Sequence, residues 1–246
     1  MYSCKNSSDH HAFFDPSSKT SDLSELLLKA EINRAFDNDE LCLFFQPKLN
    51  RQNQILETEA LVRWQHPTKG LIPPDTFIPM ILQKRLHGEL FQKILDLALT
   101  QAKQWHEVGL HIRIALNLTA PDLLDPALPA MVVKKLNQYD LDTDVLKFEI
   151  TETTLIENQE RTMDTLLQLE KMGIPISIDD FGTGYSSLSY LSTLPINELK
   201  IDRSFVVAMA KSQRDVKIIQ AIIALAHSLD LHTVAEGVED AQTMMQ

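Results

Sequence analysis

Carboxylate side chains recur at the ends of short apolar runs along this chain. Glu59, Glu149 and Glu236 each lie at such a position, and the adjacent pair Asp179 and Asp180 follows another run. A carboxylate is costly to bury and seldom improves packing, so five of them in comparable positions indicate a shared purpose. Hard divalent cations prefer oxygen ligands of this kind. We therefore expect the five carboxylates to converge on a divalent-metal cluster.

Short strands that alternate with helices are predicted to position these carboxylates. The first two strands, at 41–47 and 55–64, are separated by a turn too short for a crossover helix, so we expect an antiparallel hairpin. Five more strands are predicted at 111–117, 145–150, 175–179, 197–201 and 231–235. Helices are predicted from about Ser21 and at 75–85, 88–107, 127–138, 158–172, 184–192 and 212–229. This alternation indicates an α/β protein with a mainly parallel sheet. If the sheet forms a barrel, the carboxylate cluster is expected at the mouth of that barrel.

Composition limits the class of protein. With 246 residues, 44% of them hydrophobic, the chain is long enough for one α/β barrel. The formal net charge of -11 argues against binding to polymeric nucleic acid. No apolar run approaches the roughly 18 residues of a membrane span, and the polar N-terminus does not resemble a signal peptide. Because Cys4 and Cys42 form no disulfide framework, we expect a cytoplasmic chain that does not insert into a membrane.

The stretch from Asp179 to Ser187 carries the second strong signal. Its two adjacent carboxylates stand at a strand end, where one or both can bind metal, and Gly182 and Gly184 let the backbone turn sharply beside a ligand. Asp-Phe-Gly also occurs in protein kinases. The chain lacks the glycine-rich nucleotide loop and the His-Arg-Asp catalytic loop of a kinase, which excludes that class.

Several sequence blocks in consistent order resemble those of the EAL domain, whose members are cyclic di-GMP phosphodiesterases. The first block is Glu59-Ala60-Leu61, followed by Val62-Arg63-Trp64. The other blocks are Gln46-Pro47, Asn117-Leu118, Glu149-Ile150-Thr151-Glu152, the Asp179–Ser187 stretch, Leu199-Lys200-Ile201-Asp202 and Ala235-Glu236-Gly237-Val238-Glu239. The resemblance covers roughly residues 22–246. Because the blocks occur together and in order, chance agreement is a poor explanation.

The resemblance implies a fold and a set of residue roles. The fold is a TIM-like (β/α)₈ barrel variant whose first strand runs antiparallel to its neighbours, which agrees with the predicted hairpin. The implied ligands of two Mg²⁺ or Mn²⁺ ions are Glu59, Asn117, Glu149, Asp179, Asp180 and Glu236. The implied catalytic residues are Lys200, Glu59 and Glu152. Lys200 positions or activates the attacking water, and Glu152 anchors the loop over 180–187. The implied contacts with the dinucleotide are Gln46, Leu61, Arg63 and Asp180.

The activity implied by the resemblance is metal-dependent hydrolysis of cyclic di-GMP to linear pGpG. A phosphodiester anion repels hydroxide, so hydrolysis requires charge to be neutralised at the entering and leaving oxygens. Two metal ions about 3.5–4 Å apart provide this neutralisation. The ligand set contains oxygens but no Cys or His, which is typical of hard cations. The resemblance also implies a homodimer.

Two other functions stay open on the sequence. A receptor module could bind cyclic di-GMP without cleaving it and signal through protein contacts, although the complete ligand set argues against this. A nucleotide-independent protein-binding module is disfavoured by Gln46 and Arg63. Taken singly, Lys200 would usually be a surface lysine, and Glu152 could be a solvated residue in the first turn of a helix.

The two ends of the chain depart from the family pattern. We expect residues 1–20 to form a tail or linker, and Met1–Lys5 with Phe13–Pro16 resembles the end of a GGDEF (diguanylate cyclase-like) domain. We expect residues 21–246 to form the EAL domain without its eighth strand, since Gln246 falls within the helix after the seventh predicted strand. A barrel that lacks a strand exposes unpaired edges, so we expect a fragment of a larger tandem protein.

Overall fold

The computed structural model describes residues 28–50, 52–156, 158–183, 188–209, 212–239 and 243. The predictions for residues 1–20 and for the start of a helix near Ser21 lie outside these ranges. The chain divides into two compact units, Met1–Cys42 with Arg63–Leu86 and Leu43–Val62 with His87–Gln246. Within the described ranges, no helix has the length and apolar character needed to cross a membrane.

The smaller unit is built around a buried aromatic pair. Its elements are helix α1 over 28–37, the first residues of strand β1 (Leu41–Leu49), the last residues of strand β2 (Ile55–His66), strand β3 (Gly70–Ile72) and helix α2 (Pro74–Gln83). Trp64 packs edge-on against Phe77 with ring centroids 5.9 Å apart. The Trp64 indole donates a hydrogen bond to Glu40 Oε2 at 2.9 Å, which keeps this buried polar group satisfied. Strand β3 pairs antiparallel with the end of β2, and three residues are too few for a periodicity to predict it.

The larger unit carries the sheet that positions the candidate site. Its remaining strands are β4 (Arg113–Asn117), β5 (Leu146–Thr151), β6 (Ile176–Phe181), β7 (Glu198–Ile201) and β8 (His232–Ala235). The strand order is β1-β2-β4-β5-β6-β7-β8, and all neighbours from β2 onwards pair parallel. Strand β1 neighbours β2 across a short connection and is therefore antiparallel to it. The seven predicted strands and the hairpin are confirmed.

Helices follow the parallel strands, as the predicted alternation requires. They are α3 (His87–Glu107), α4 (Ala120–Leu123), α5 (Leu128–Tyr139), α6 (Gln159–Lys171), α7 (Leu188–Leu191), α8 (Arg203–Met209) and α9 (Gln213–Ser228). Two 3₁₀ turns lie at Thr143–Val145 and Glu152–Ile156. The short helices α4 and α8 were not predicted, because neither is long enough to show a helical period.

Each central strand has one apolar face and one face that carries charge. On β5, Phe148 and Ile150 are fully buried in the hydrophobic core, whereas Lys147 and Glu149 alternate with them. Side chains of a strand point alternately to its two faces, so these charged residues share the face opposite the core. Glu149 is nevertheless 0% exposed, and Lys200 on β7 is 1% exposed. Charges buried this deeply must be paired with one another or with bound ions.

Candidate active site

An irregularity in β6 coincides with the adjacent carboxylates. The register between β6 and β7 shifts between Ile178 and Phe181, the interval that contains Asp179 and Asp180. Asp180 adopts a left-handed backbone conformation with φ 53°, and its carbonyl oxygen accepts a hydrogen bond from Thr183 Oγ1 at 2.8 Å. Bulges of this kind re-aim side chains next to functional sites. They allow two consecutive residues to present carboxylates to the same region.

Four carboxylates converge on the ammonium group of Lys200. The Nζ atom lies 2.6 Å from Glu149, 2.7 Å from Glu236, 3.0 Å from Asp179 and 3.2 Å from Glu59. Glu149, Asp179 and Lys200 lie near the carboxyl ends of their strands, and Glu236 directly follows β8. Glu59, which was expected at the end of its run, lies within the longer strand β2. We call these five residues the ligand layer. The sequence prediction placed all five in one site, and the structure brings them together.

The ligand layer contains more negative than positive charge. Four carboxylates surround one ammonium group, which leaves an excess of three negative charges when all are ionised. Burial by itself would lower the pKa of Lys200, but the carboxylates, Glu149 first, outweigh burial and raise that pKa. Burial raises the pKa of Glu149, and the neighbouring lysines act in the opposite direction. The layer therefore keeps Lys200 charged and would be stabilised by additional cations.

Asp180 faces the same crowding of negative charge. Its pKa is raised by burial and then by the nearby carboxylates of Asp179, Asp202 and Glu236. Like charges that cannot separate favour protonation unless a cation neutralises them. This arrangement is typical of a site that binds a divalent cation.

Among the described residues, three groups of three carboxylates could each hold a metal ion. The first, Glu57 with Glu149 and Glu198, lies deeper, and the other two share one residue. One of these two is Glu59, Glu149 and Asp179, and the other is Asp179, Asp180 and Glu236. Within each group the ligand atoms lie within 4.8 Å of one another. All donors are carboxylate oxygens, so the residues fit hard divalent cations such as Mg²⁺ or Mn²⁺.

Asn117 stands beside the group of Glu59, Glu149 and Asp179. Its side-chain nitrogen donates to Glu59 Oε1 at 3.1 Å, so its carbonyl oxygen is the amide atom suited to a cation. The parallel register aligns Asn117 with Glu149 on the next strand. The structure therefore places all six predicted metal ligands around Lys200 or next to residues that contact it.

Glu152 holds the start of the segment that follows β6. It is 3% exposed, and its Oε2 atom accepts a hydrogen bond from the Gly182 amide at 3.2 Å. Gly182 has φ +96°, and a Cβ atom there would lie 3.0 Å from the Phe205 ring, so a side chain is disfavoured at this position. Residues 184–187 of the predicted loop lie outside the described residues.

The residues predicted to contact a dinucleotide lie on the first two strands. Gln46 is exposed on β1, and Leu61 is half-buried on β2, both within the larger unit. Arg63 is half-buried and belongs to the smaller unit. Their predicted roles stay predictions.

A second set of charged and polar side chains, which the sequence analysis did not single out, lies beside the ligand layer. Four of its members stand two residues before ligand-layer residues on β2, β5, β6 and β7, and the fifth lies on β1. This inner layer consists of Lys48, Glu57, Lys147, Ser177 and Glu198. Glu57 accepts from Lys48 at 2.8 Å and from Lys147 at 2.6 Å, and Glu198 accepts from Lys147 at 2.9 Å and from Ser177 at 3.1 Å. The detectable signal was the i, i+2 spacing in Glu57/Glu59, Lys147/Glu149 and Glu198/Lys200, which places both members of each pair on one face.

Comparison with known proteins places the chain within a family. The EAL domain matches residues 29–246. The cyclic di-GMP phosphodiesterase NbdA of Pseudomonas aeruginosa is 41% identical over 222 residues, which are 89% of this chain and 28% of that protein. The cyclic di-GMP phosphodiesterase PdeR of Escherichia coli is 34% identical over 243 residues, which are 98% of this chain and 37% of that protein. This chain thus spans about a third of the length of these curated relatives.

A solved structure matches both the fold and the length of the chain. The PaMucR phosphodiesterase in complex with c-di-GMP superposes with a TM-score of 0.84 and 38% sequence identity, covering 89% of this chain and 90% of the other. The TIM-like α/β barrel variant predicted from the sequence is therefore confirmed as the fold class.

Proposed function

The chain belongs to the EAL domain family, and on that premise we propose that it hydrolyses cyclic di-GMP to linear pGpG with the help of two divalent cations, Mg²⁺ or Mn²⁺. One observation carries this proposal: four carboxylates meet around a buried lysine in the larger unit, with an excess of negative charge. The named activities of NbdA and PdeR support the choice of substrate.

Each of the two carboxylate groups that share Asp179 would hold one cation. Asp179 would contribute to both, and Asn117 would add its carbonyl oxygen beside Glu59. When bound, the two cations would neutralise charge on the entering and leaving oxygens of the phosphodiester and lower the pKa of the attacking water. The chain itself supplies the fixed positions of these ligands, since each lies on a packed strand or directly after one.

Lys200 acts in this proposal as a positioned ammonium group. In the absence of cations, burial acts to lower its pKa, but the neighbouring carboxylates outweigh burial and raise it, which favours the protonated ammonium group. It can donate hydrogen bonds to carboxylates and to a water, and it can attract the anionic phosphodiester as a point charge. We therefore assign Lys200 to orienting the nucleophile and the ligand carboxylates.

The remaining predicted residues would act on the substrate or on the loop after β6. Glu152 would keep Asp180 in place through its hydrogen bond with Gly182. Arg63 would bind a phosphate with its planar fork, and Gln46 and Leu61 would contact the dinucleotide. We also propose that residues 21–246 act as one EAL domain in a cytoplasmic homodimer, which the family resemblance supports.

Turnover measured by chromatography tests the proposal. We expect the chain to convert cyclic di-GMP into pGpG in the presence of Mg²⁺ or Mn²⁺, and Glu59→Ala to abolish the conversion. Glu107→Ala, an exposed glutamate on α3, serves as the matched control and should retain the activity. Binding of cyclic di-GMP without conversion would favour a receptor module, and absence of binding would favour a nucleotide-independent protein-binding module.

A further inference from the structure

Lys48 connects the inner layer to the ligand layer. Its Nζ atom donates to Glu57 Oε1 at 2.8 Å and also contacts Glu149 Oε1. The other oxygen of Glu149 accepts from Lys200 at 2.6 Å. Both oxygens of a carboxylate that is 0% exposed are therefore held by lysines from two different strands.

We propose that Lys48 is a positioning residue that fixes the orientation of the Glu149 carboxylate for the divalent cation of the site. This inference rests on the proposed function, because it assigns Glu149 to a metal ion. Groups that hydrogen-bond a ligand carboxylate set its orientation, and their loss typically costs about 10–100-fold in metal affinity. With Oε1 held by Lys48, Glu149 presents Oε2 towards the other ligands.

The inner layer anchors Lys48 without adding net charge beneath the site. Its two lysines, Lys48 and Lys147, face two glutamates, Glu57 and Glu198. Glu57 is itself fixed by Lys147 at 2.6 Å, so the acceptor that holds Lys48 is anchored from a second side. The inner layer by itself is therefore neutral, but Lys48 also acts as a charge on Glu149, so the test has to separate geometry from charge.

The obvious alternative is that the inner layer only fills the interior of the sheet. Two matched double substitutions separate this alternative from the proposal. Lys48→Met with Glu57→Leu removes the contact with Glu149 and leaves the Lys147–Glu198 pair. Lys147→Met with Glu198→Leu removes the other pair and leaves Lys48 bound to Glu57 and Glu149. Each double variant removes one positive and one negative charge, so neither changes the net charge of the layer.

The test is the dissociation constant for Mn²⁺, measured by calorimetric titration of the full chain. We expect the Lys48/Glu57 variant to bind Mn²⁺ about tenfold more weakly than the unaltered chain. The Lys147/Glu198 variant should stay within about twofold of the unaltered chain, since it leaves the Glu149 contact in place. Equal weakening in both variants, or no weakening in the first, would overturn the proposal.

A single substitution keeps the proposal testable if the first double variant does not fold. Lys48→Gln shortens the side chain and removes its charge, and the loss of a positive charge by itself predicts tighter Mn²⁺ binding. Weaker binding by about tenfold therefore supports positioning, while unchanged or tighter binding contradicts it.

Turnover of cyclic di-GMP by the unaltered chain is recorded separately. Mn²⁺ binding without turnover would contradict the proposed activity but not the positioning role of Lys48. Absence of Mn²⁺ binding by the unaltered chain would overturn the role of Lys48.

Discussion

On four strands, β2, β5, β6 and β7, the ligand layer and the inner layer lie two residues apart, yet their charges balance differently. In the inner layer two lysines face two glutamates. In the ligand layer one lysine faces four carboxylates, and Lys48 of the inner layer contacts one of them, Glu149. Glu59, Asp179 and Glu236 are partly exposed, so the need to fill the interior of the sheet does not explain the imbalance. The candidate functional site is therefore distinguished by a surplus of charge of one sign, and not by the burial of charge as such.

The two layers should also respond differently to divalent cations. The carboxylates of the inner layer accept hydrogen bonds from Lys48, Lys147 and Ser177. The carboxylates of the ligand layer repel one another, and bound cations would reduce this repulsion. A ligand that binds only the folded state stabilises it, so cation binding should raise the stability of the chain through the ligand layer.

Replacing Asp179 by asparagine should break the ligand layer most completely. Asp179 belongs to both carboxylate groups that are proposed to hold cations, so its loss weakens both cation positions. We expect pGpG formation to fall about 10³-fold, the equivalent of about 4 kcal/mol of lost transition-state stabilisation. Chromatographic rates measure this effect, and Asp164→Asn, an exposed aspartate on α6, should leave them unchanged. A variant that retains a tenth of the activity would contradict the shared-ligand role.

Replacing Lys200 by methionine should deepen the charge surplus of the ligand layer. The excess of negative charge rises by one, and we expect turnover to fall about 10²-fold. In the absence of cations the midpoint of thermal unfolding should also fall, because four carboxylates lose their common partner.

Mn²⁺ is then expected to raise the unfolding temperature of the Lys200→Met variant by more than that of the unaltered chain. Lys135→Met, which removes a partly exposed pair with Asp96, is the control and should show the ordinary response to Mn²⁺. A smaller Mn²⁺ response in the Lys200 variant would argue that the lysine helps to bind the cation.

The variant Glu57→Gln tests the charge balance of the inner layer through the pH dependence of the free energy of unfolding. Burial acts to raise the pKa of Glu57, but Lys147 and Lys48 outweigh it and lower that pKa below its usual value of 4.5. The ionised carboxylate therefore stabilises the folded chain above about pH 4.5, and this contribution is lost as pH falls through the lower folded-state pKa. We expect the variant to be about 2 kcal/mol less stable than the unaltered chain at pH 7.

Urea unfolding at pH 7 and at acid pH measures this difference in the free energy of unfolding. The difference should shrink as the pH is lowered below about 4.5. A difference that grows in acid would mean that Glu57 does not stabilise the fold as a charged group.

Of these substitutions, Ser177→Ala should have the smallest effect on turnover and stability. It allows an inner-layer residue and a ligand-layer residue of the same strand, β6, to be compared. Ser177 lies two residues before Asp179 and donates to Glu198 at 3.1 Å. Loss of one hydrogen bond should cost about 1 kcal/mol of stability. Turnover should stay within about twofold of the unaltered chain, since no ligand contact is lost. A large loss of turnover would show that the inner layer takes part in catalysis.

The sequence predicted the ligand layer better than the network beneath it. Glu149, Asp179 and Lys200 lie near the ends of parallel strands, which the sheet brings together. Glu59 lies within β2, and its place depends on the register between β2 and β4. The contact between Lys48 and Glu149 joins residues 101 positions apart, and it depends on which rotamers reach across the sheet. Alternation places Lys147 and Glu198 on the correct face, but it does not say which glutamate each lysine binds.

The short strand β3 and the register shift in β6 could not be predicted from the sequence either. Strand β3 spans only Gly70–Ile72, and its pairing is set by the return of the chain alongside β2 rather than by its own composition. The irregularity at Asp179 and Asp180 was foreseen only as a sharp turn near the glycines, because a register shift depends on the partner strand.

The most direct test of the central claim is the rate at which the unaltered chain consumes cyclic di-GMP, first after divalent cations are removed by chelation and then after Mg²⁺ or Mn²⁺ is restored. We predict no pGpG after chelation and sustained formation of pGpG when either cation is added back. Conversion that survives chelation, or binding of cyclic di-GMP with no conversion in the presence of restored cations, would contradict a divalent-cation-dependent phosphodiesterase built on the ligand layer.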